Sequence, residues 1–167
     1  YKWVQTAFRV AFYLPVVASG VVLSMVWLCI LHPSHGLLNY LIGLFGFEPI
    51  AWLGTPKMAL VSVMAVVVTF TIGQPVILFL AGLGGIPADL YEAAMIDGAN
   101  SRARFFRITL PLLKPTTLFV TVTQVIGVFQ VFVVVLLLTK GGPANGTQTI
   151  VYRMYEMAFD TFQFGYA

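Results

Sequence analysis

The sequence predicts an all-α protein, a polytopic bundle of transmembrane helices, and three observations carry that prediction. About 59% of the 167 residues are hydrophobic and about 9% are charged, against roughly a quarter charged in soluble domains. The apolar residues collect into three uncharged runs, each as long as the roughly 20 residues a helix needs to cross the hydrocarbon core. The charged residues concentrate between the second and third runs, as expected of a segment in water. The principal solvent is therefore lipid.

Residues 10–31 form the first run, span A, about 22 residues without a charge. Pro15 falls in its first turns, where a missing N–H costs least, and Trp27 near its far end suits the membrane interface. Cys29 has no second cysteine for a disulfide or metal pair, and it reads as a packing residue. His32, Pro33, Ser34, His35 and Gly36 break the pattern. Residues 37–57 are moderately apolar but are cut by Gly43, Gly46, Pro49, Gly54 and Pro56 and contain Glu48, so they read as a loop with a short interfacial helix. Span B covers residues 59–83, with a kink expected at Gly73-Gln74-Pro75. Span C covers 116–139. Lys140-Gly141-Gly142-Pro143 is then a turn cluster, and the aromatic-rich remainder of 140–167 need not cross anything.

Basic residues set the orientation. Lys2, Arg9, Arg102, Arg104, Arg107 and Lys114 fall on one side, and Lys57, Lys140 and Arg153 on the other. The positive-inside rule then makes residues 84–115 cytoplasmic and residues 32–58 and 140–167 external. The chain starts at Tyr1 without a leader pattern, so its first apolar run is not read as a signal peptide, and an internal fragment is expected.

Several function classes are disfavoured. The net charge of +3 is small and its basic residues are scattered, which argues against nucleic acid as a partner. No Gly-x-x-x-x-Gly-Lys-Ser/Thr pattern is present, so ATP bound in the P-loop manner is not expected in this chain and the chain is not read as an enzyme. His32 and His35 supply only two ligands, with Pro33 breaking the helix that would align them, so no metal site is assigned. Asn145-Gly146-Thr147 fits a glycosylation sequon and is more simply a turn.

The informative stretch is residues 87–111. Pro87 suits the first position of a helix, Asp89 and Glu92 place negative charge near its N-terminus, and Gly98 suits the left-handed cap that ends it. Asn100 or Ser101 caps a second short helix, which Leu110-Pro111 is expected to stop. Residue chemistry alone leaves two readings of this hairpin, a surface on anionic lipid or a protein docking site.

Glu92-Ala93-Ala94, Gly98 four residues on, then Ile108, Leu110 and Pro111 resemble the EAA motif of ABC importer membrane subunits. The motif is matched at every defining position. The resemblance implies a coupling helix that fits a groove on a nucleotide-binding subunit, with Glu92, Ala93, Ala94, Asp97, Gly98, Ile108, Leu110 and Pro111 as the coupling residues. Leu14-Pro15-Val16-Val17, Gly36-Leu37-Leu38-Asn39, Phe129-Gln130-Val131-Phe132 and Gly141-Gly142-Pro143 followed by residues 147–155 are similar to the carbohydrate-uptake branch, which includes maltose and glycerol-phosphate permeases. Val133 stands where that branch often has an acid, so no ligand role carries over to it. The family usually has about six spans, so further spans are implied beyond this chain.

The resemblance thus implies a MetI-like permease subunit in a bacterial inner membrane, translocating a sugar or polyol. Its implied partners are two ATPase subunits holding ATP and Mg²⁺, a second permease subunit and an external solute-binding protein. No cofactor is expected in the chain itself. Thr116, Thr123, Gly127 and Gln130 share one face of span C, and Ser62, Thr69 and Gly73 share one of span B. Such stripes serve helix packing in membranes. Gln74, Gln130 and Thr123 are the candidate pathway residues, because amide and hydroxyl groups suit a sugar's hydroxyls, whereas Gln124 points elsewhere and suits a bond between helices. An ion-gradient-driven transporter or channel is the alternative, and a membrane scaffold would leave the motif without a purpose. The gradient-driven reading predicts charged groups inside the spans, and the three spans hold none.

Overall fold

The computed structural model describes Trp3, Thr6, Phe8 and residues 14–167. Among these the regular secondary structure is entirely helical. Lys2, Arg9 and residues 10–13 of span A lie outside the described residues.

Span A is interrupted. Residues 14–17 are helical, Ala18 and Ser19 leave the helix, and helix α1 runs Gly20–Ile30. Ser19 is extended at φ −61°, ψ 134°, a conformation serine adopts readily just before a helix. The 11 residues of α1 rise only about 16 Å, well short of the roughly 30 Å hydrocarbon core. Cys29, on the same helix, is exposed. Trp27 does more than mark an interface, since its indole Nε1 donates to Thr69 Oγ1 at 3.2 Å.

Helix α2, Leu37–Leu44, is the short helix of the following loop. Asn39, buried, organises this region. Its Nδ2 donates to the Pro33 and Ile50 carbonyls, and its Oδ1 accepts from the Ile50 N–H and the Trp52 indole at 2.9 Å. Buried polar groups of an irregular segment need partners, and one side chain here satisfies four of them. Gly36 cannot carry a Cβ, which would collide with the His32 and Ile30 carbonyls.

Span B is two helices, α3 over Pro56–Thr71 and α4 over Gly73–Gly84, meeting at an angle of 44°. Thr55 caps α3 by accepting from the Met58 N–H, and Pro56 begins it, where its missing donor costs nothing. The bend falls at Ile72, three residues before Pro75. Beyond α4 lies a hairpin of α5, Ala88–Ile96, and a return arm built from α6, Ser101–Arg104, a π-helical turn, Phe105–Thr109, and α7, Leu110–Leu112.

Span C is α8, Lys114–Phe129, and α9, Val133–Leu138, separated by a break at Gln130, Val131 and Phe132. Thr149 Oγ1 donates to the Val131 carbonyl at 2.8 Å, covering an acceptor that the break frees. Helix α10, Ile150–Tyr155, and a π-helical turn, Glu156–Asp160, follow. The buried core joins α1, α3, α9 and α10 through Leu31, Val63, Val66, Val134, Val135, Leu138 and Tyr152. The tail therefore contributes to the core and does not merely trail it. Helices α4 and α8, which carry the hairpin, pack on each other apart from that core.

Candidate functional site

The hairpin is built by local signals of the chain. Pro87 is the residue before α5, at φ −58°, ψ 134°, one place earlier than its sequence suggests. Asp89 lies in the first turn, where a negative charge favours the helix dipole. Gly98, at φ +76°, closes α5. Its N–H donates to the Met95 carbonyl and the Ala99 N–H donates to the Ala94 carbonyl. This pair of bonds is the Schellman arrangement, which needs a left-handed residue and so favours glycine. Asn100 Oδ1 then accepts from the Ala103 N–H at 2.8 Å and starts the return arm.

The return arm does not stop at Leu110-Pro111. The chain widens into the π-helical turn, with the Leu110 N–H donating to the Phe105 carbonyl, and stays helical to Leu112. Pro111 thus falls at the start of a new α-helical segment, as Pro115 does in α8, where neither ring interrupts a bond in progress. Sequence reasoning missed the pair that closes the hairpin. The Tyr91 hydroxyl and Thr109 Oγ1 lie 2.8 Å apart, and Thr109 is buried. No local signal links two residues 18 apart.

Of the motif residues, Glu92, Ala93, Asp97 and Gly98 are exposed, and Ala94 and Ile108 are half-buried. Leu110 and Pro111 are exposed on the return arm. The tip also shows apolar side chains, Ile96 at 87% and Met95 at 52% of full exposure. Both stand in a loop that otherwise carries seven charged residues, Asp89 to Lys114. Arg104 Nη2 donates to Ser101 Oγ, and among the described residues the one salt bridge is distant, between Arg153 and Glu156.

The candidate pathway residues lie on α4 and on or just beyond α8. Gln74, in the first turn of α4, and Gln130, just beyond α8, are both exposed. Thr123 Oγ1 turns back to the Phe119 and Val120 carbonyls of its own helix. The small-residue stripe of span B and Thr116 of span C serve packing, whereas a Cβ on Gly127 would meet nothing within 4 Å. Ser62 Oγ donates to the Trp52 carbonyl, Gly73 is buried, and a Cβ on Gly82 would stand 2.9 Å from Thr116 Oγ1. Gln124 Nε2 bonds between helices, donating to the Thr71 carbonyl at 3.3 Å.

At the opposite end from the hairpin, Phe132, Tyr152, Tyr155 and Phe159 form a run of aromatic contacts with ring centroids 5.1 to 6.5 Å apart. Burial, then the carboxylates of Glu156 and Asp160 and the neighbouring Tyr155, push the Tyr152 hydroxyl above its ordinary value. It stays protonated at physiological pH. The His32 and His35 rings stack, and His32 Nδ1 accepts the Ser34 and His35 N–H groups, leaving that nitrogen no lone pair for a metal.

A family model described as "Binding-protein-dependent transport system inner membrane component" matches residues 1–167. The chain is 36% identical over 157 residues to the trehalose/maltose transport system permease protein MalF of Thermococcus litoralis, covering 94% of this chain and 52% of that one. It is 36% identical to the diacetylchitobiose uptake system permease protein NgcF of Streptomyces coelicolor, covering 96% and 46%. It is 35% identical to the sn-glycerol-3-phosphate transport system permease protein UgpA of Agrobacterium fabrum, covering 95% and 54%. The chain thus spans about half the length of these relatives. Among solved structures, it is similar to a bacterial ABC transporter involved in the import of the acidic polysaccharide alginate, at a TM-score of 0.81 and 25% identity, covering 98% of this chain and 57% of that one. A second structure of an alginate transporter, in complex with an alginate pentasaccharide-bound periplasmic protein, gives 0.80 and 26%, covering 97% and 57%.

Proposed function

The chain belongs to the family of binding-protein-dependent transport system inner membrane components, and from that premise we propose that it is the hairpin-bearing part of a permease subunit that imports a sugar or related polyol at the expense of ATP. The hairpin of α5 and its return arm faces the cytoplasm and receives force from a separate ATPase subunit, which holds the ATP and Mg²⁺. A second permease subunit completes the path, and an external solute-binding protein delivers the solute. A sugar as solute is supported by the names of the relatives above, trehalose/maltose and diacetylchitobiose among them, and by the alginate importers of the same fold.

The observation that carries the coupling role is the exposed tip. Ala93 and Gly98 leave the surface of α5 open to close approach, and Met95 and Ile96 hold apolar area out in an otherwise charged loop. A short, capped helix presenting small and apolar residues fits a groove on a protein better than a lipid headgroup layer, which would favour a basic face. Glu92 and Asp97 on the same helix oppose the lipid reading further. The absence of any charged residue from residues 59–83 and 116–139 disfavours an ion-driven carrier.

The direct test is a cysteine at Ala93 in the full-length permease, co-expressed with its ATPase subunit. Crosslinking that depends on the nucleotide state is the expected result. An assembled, active transporter in which Ala93→Cys never crosslinks to the ATPase would sink the assignment. Solute passage past Gln74, Gln130 and Thr123 is tested separately. Alanine at Gln74 or Gln130 should raise the half-saturating solute concentration or lower the rate of uptake, and unchanged uptake kinetics would remove both from the path.

A further inference from the structure

The bend in span B sets free one particular carbonyl. In a straight helix the Thr71 C=O accepts from the N–H of residue 75, and residue 75 is a proline, which has none. An acceptor left unsatisfied among apolar groups is costly. Gln124, half-buried on α8, supplies the missing donor through Nε2 at 3.3 Å. We propose that Gln124 is a positioning residue, a latch that takes the place of the hydrogen bond withheld by Pro75 and so fixes the angle between α3 and α4.

The setting gives this bond mechanical leverage. On one side of the bend, α3 is pinned. Trp27 donates to Thr69, two residues before Thr71, and Val63 and Val66 are buried in the main core. On the other side, α4 leads to the hairpin and packs closely on α8, where Gly82 admits Thr116 and Leu113. A displacement of the hairpin relative to α3 must therefore pass through the bend at Ile72. The Gln124 bond ties that bend to α8, the other helix entering the hairpin, so α4 and α8 answer together. The consequence for transport rests on the permease reading above, whereas the latch itself does not.

The test uses the full-length permease assembled with its partner subunits in lipid nanodiscs, with every native cysteine, Cys29 included, replaced by serine and spin labels on cysteines at the exposed positions Val61 and Leu83, which flank the bend. Gln124→Met keeps the length of the side chain and removes the donor. It should broaden the distance distribution across the bend and lower solute uptake about fivefold, the effect of losing one hydrogen bond. Pro75→Ala restores an N–H for Thr71, so adding Gln124→Met to it should change neither the distance nor the uptake. Equal effects of Gln124→Met in the two backgrounds, or none in either, would overturn the latch. If Gln124→Met alone does not assemble, recovery of assembly by Pro75→Ala is the expected result and no recovery overturns the proposal. If the distance responds as expected while uptake and ATP hydrolysis do not, the latch stands and its role in transport fails.

Discussion

Gly98 sits at φ +76° with nothing within 4 Å of the place a Cβ would occupy, so its requirement is conformational and not steric. Gly98→Val should cost about 1–2 kcal/mol, the penalty of a left-handed L-residue, and Gly98→Asn less, since asparagine tolerates that region. Thermal unfolding of the assembled transporter would measure both, and equal losses would contradict the reading. Asn39 makes the opposite case. Asn39→Leu strands the Trp52 indole, the Ile50 N–H and two carbonyls, and about 4 kcal/mol or more should be lost at roughly 1–3 kcal/mol per unsatisfied group. Gly98 was legible in the sequence because a helix end is written in adjacent residues. Asn39 was not, because its partners stand 6, 11 and 13 residues away and only the folded loop brings them to it.

At the scale of elements the same contrast holds. The kink in span B could be read from Gly73-Gln74-Pro75 because a proline in an apolar run has few alternatives. Pro111 and Pro115 obey the same chemistry with a different result. A π-helical turn before one and a turn at Leu113 before the other let the return arm continue into α8, and no residue type announces such a widening. The break at Ser19 was hidden because lipid-length hydrophobicity says nothing about continuity. Two predictions belong here. Tyr91→Phe and Thr109→Val should each loosen the hairpin, while the double variant loses hardly more than either alone, a coupling of about 1 kcal/mol by double-mutant cycle on coupled ATP hydrolysis. Independent losses would mean the hydroxyls act apart. Gly82→Val should separate α4 from α8, because even its Cβ would stand 2.9 Å from Thr116 Oγ1 and 3.0 Å from Leu113 Cδ2. Accelerated proteolysis in the hairpin is the expected readout, and an unchanged digestion rate would argue that the helices can part without consequence.

As a whole the described part of the molecule is asymmetric. Its buried core lies at the end away from the hairpin, in α1, α3, α9 and α10, while α4 and α8 reach from it with most of their surface exposed. The family relatives are about twice as long as this chain. Composition could predict a bundle but not this division, since lipid-facing and partner-facing residues are equally apolar in sequence. The Trp27 bond to Thr69 gives the arrangement an optical consequence. An indole whose N–H is engaged two residues from the bend is a fluorophore placed at the joint, whereas Trp52, held by Asn39, sits in the neighbouring loop as a reference. The change in tryptophan emission on adding nucleotide to the assembled transporter should be lost in Trp27→Phe and kept in Trp52→Phe, so the difference between the two variants would report the cycle without a dye.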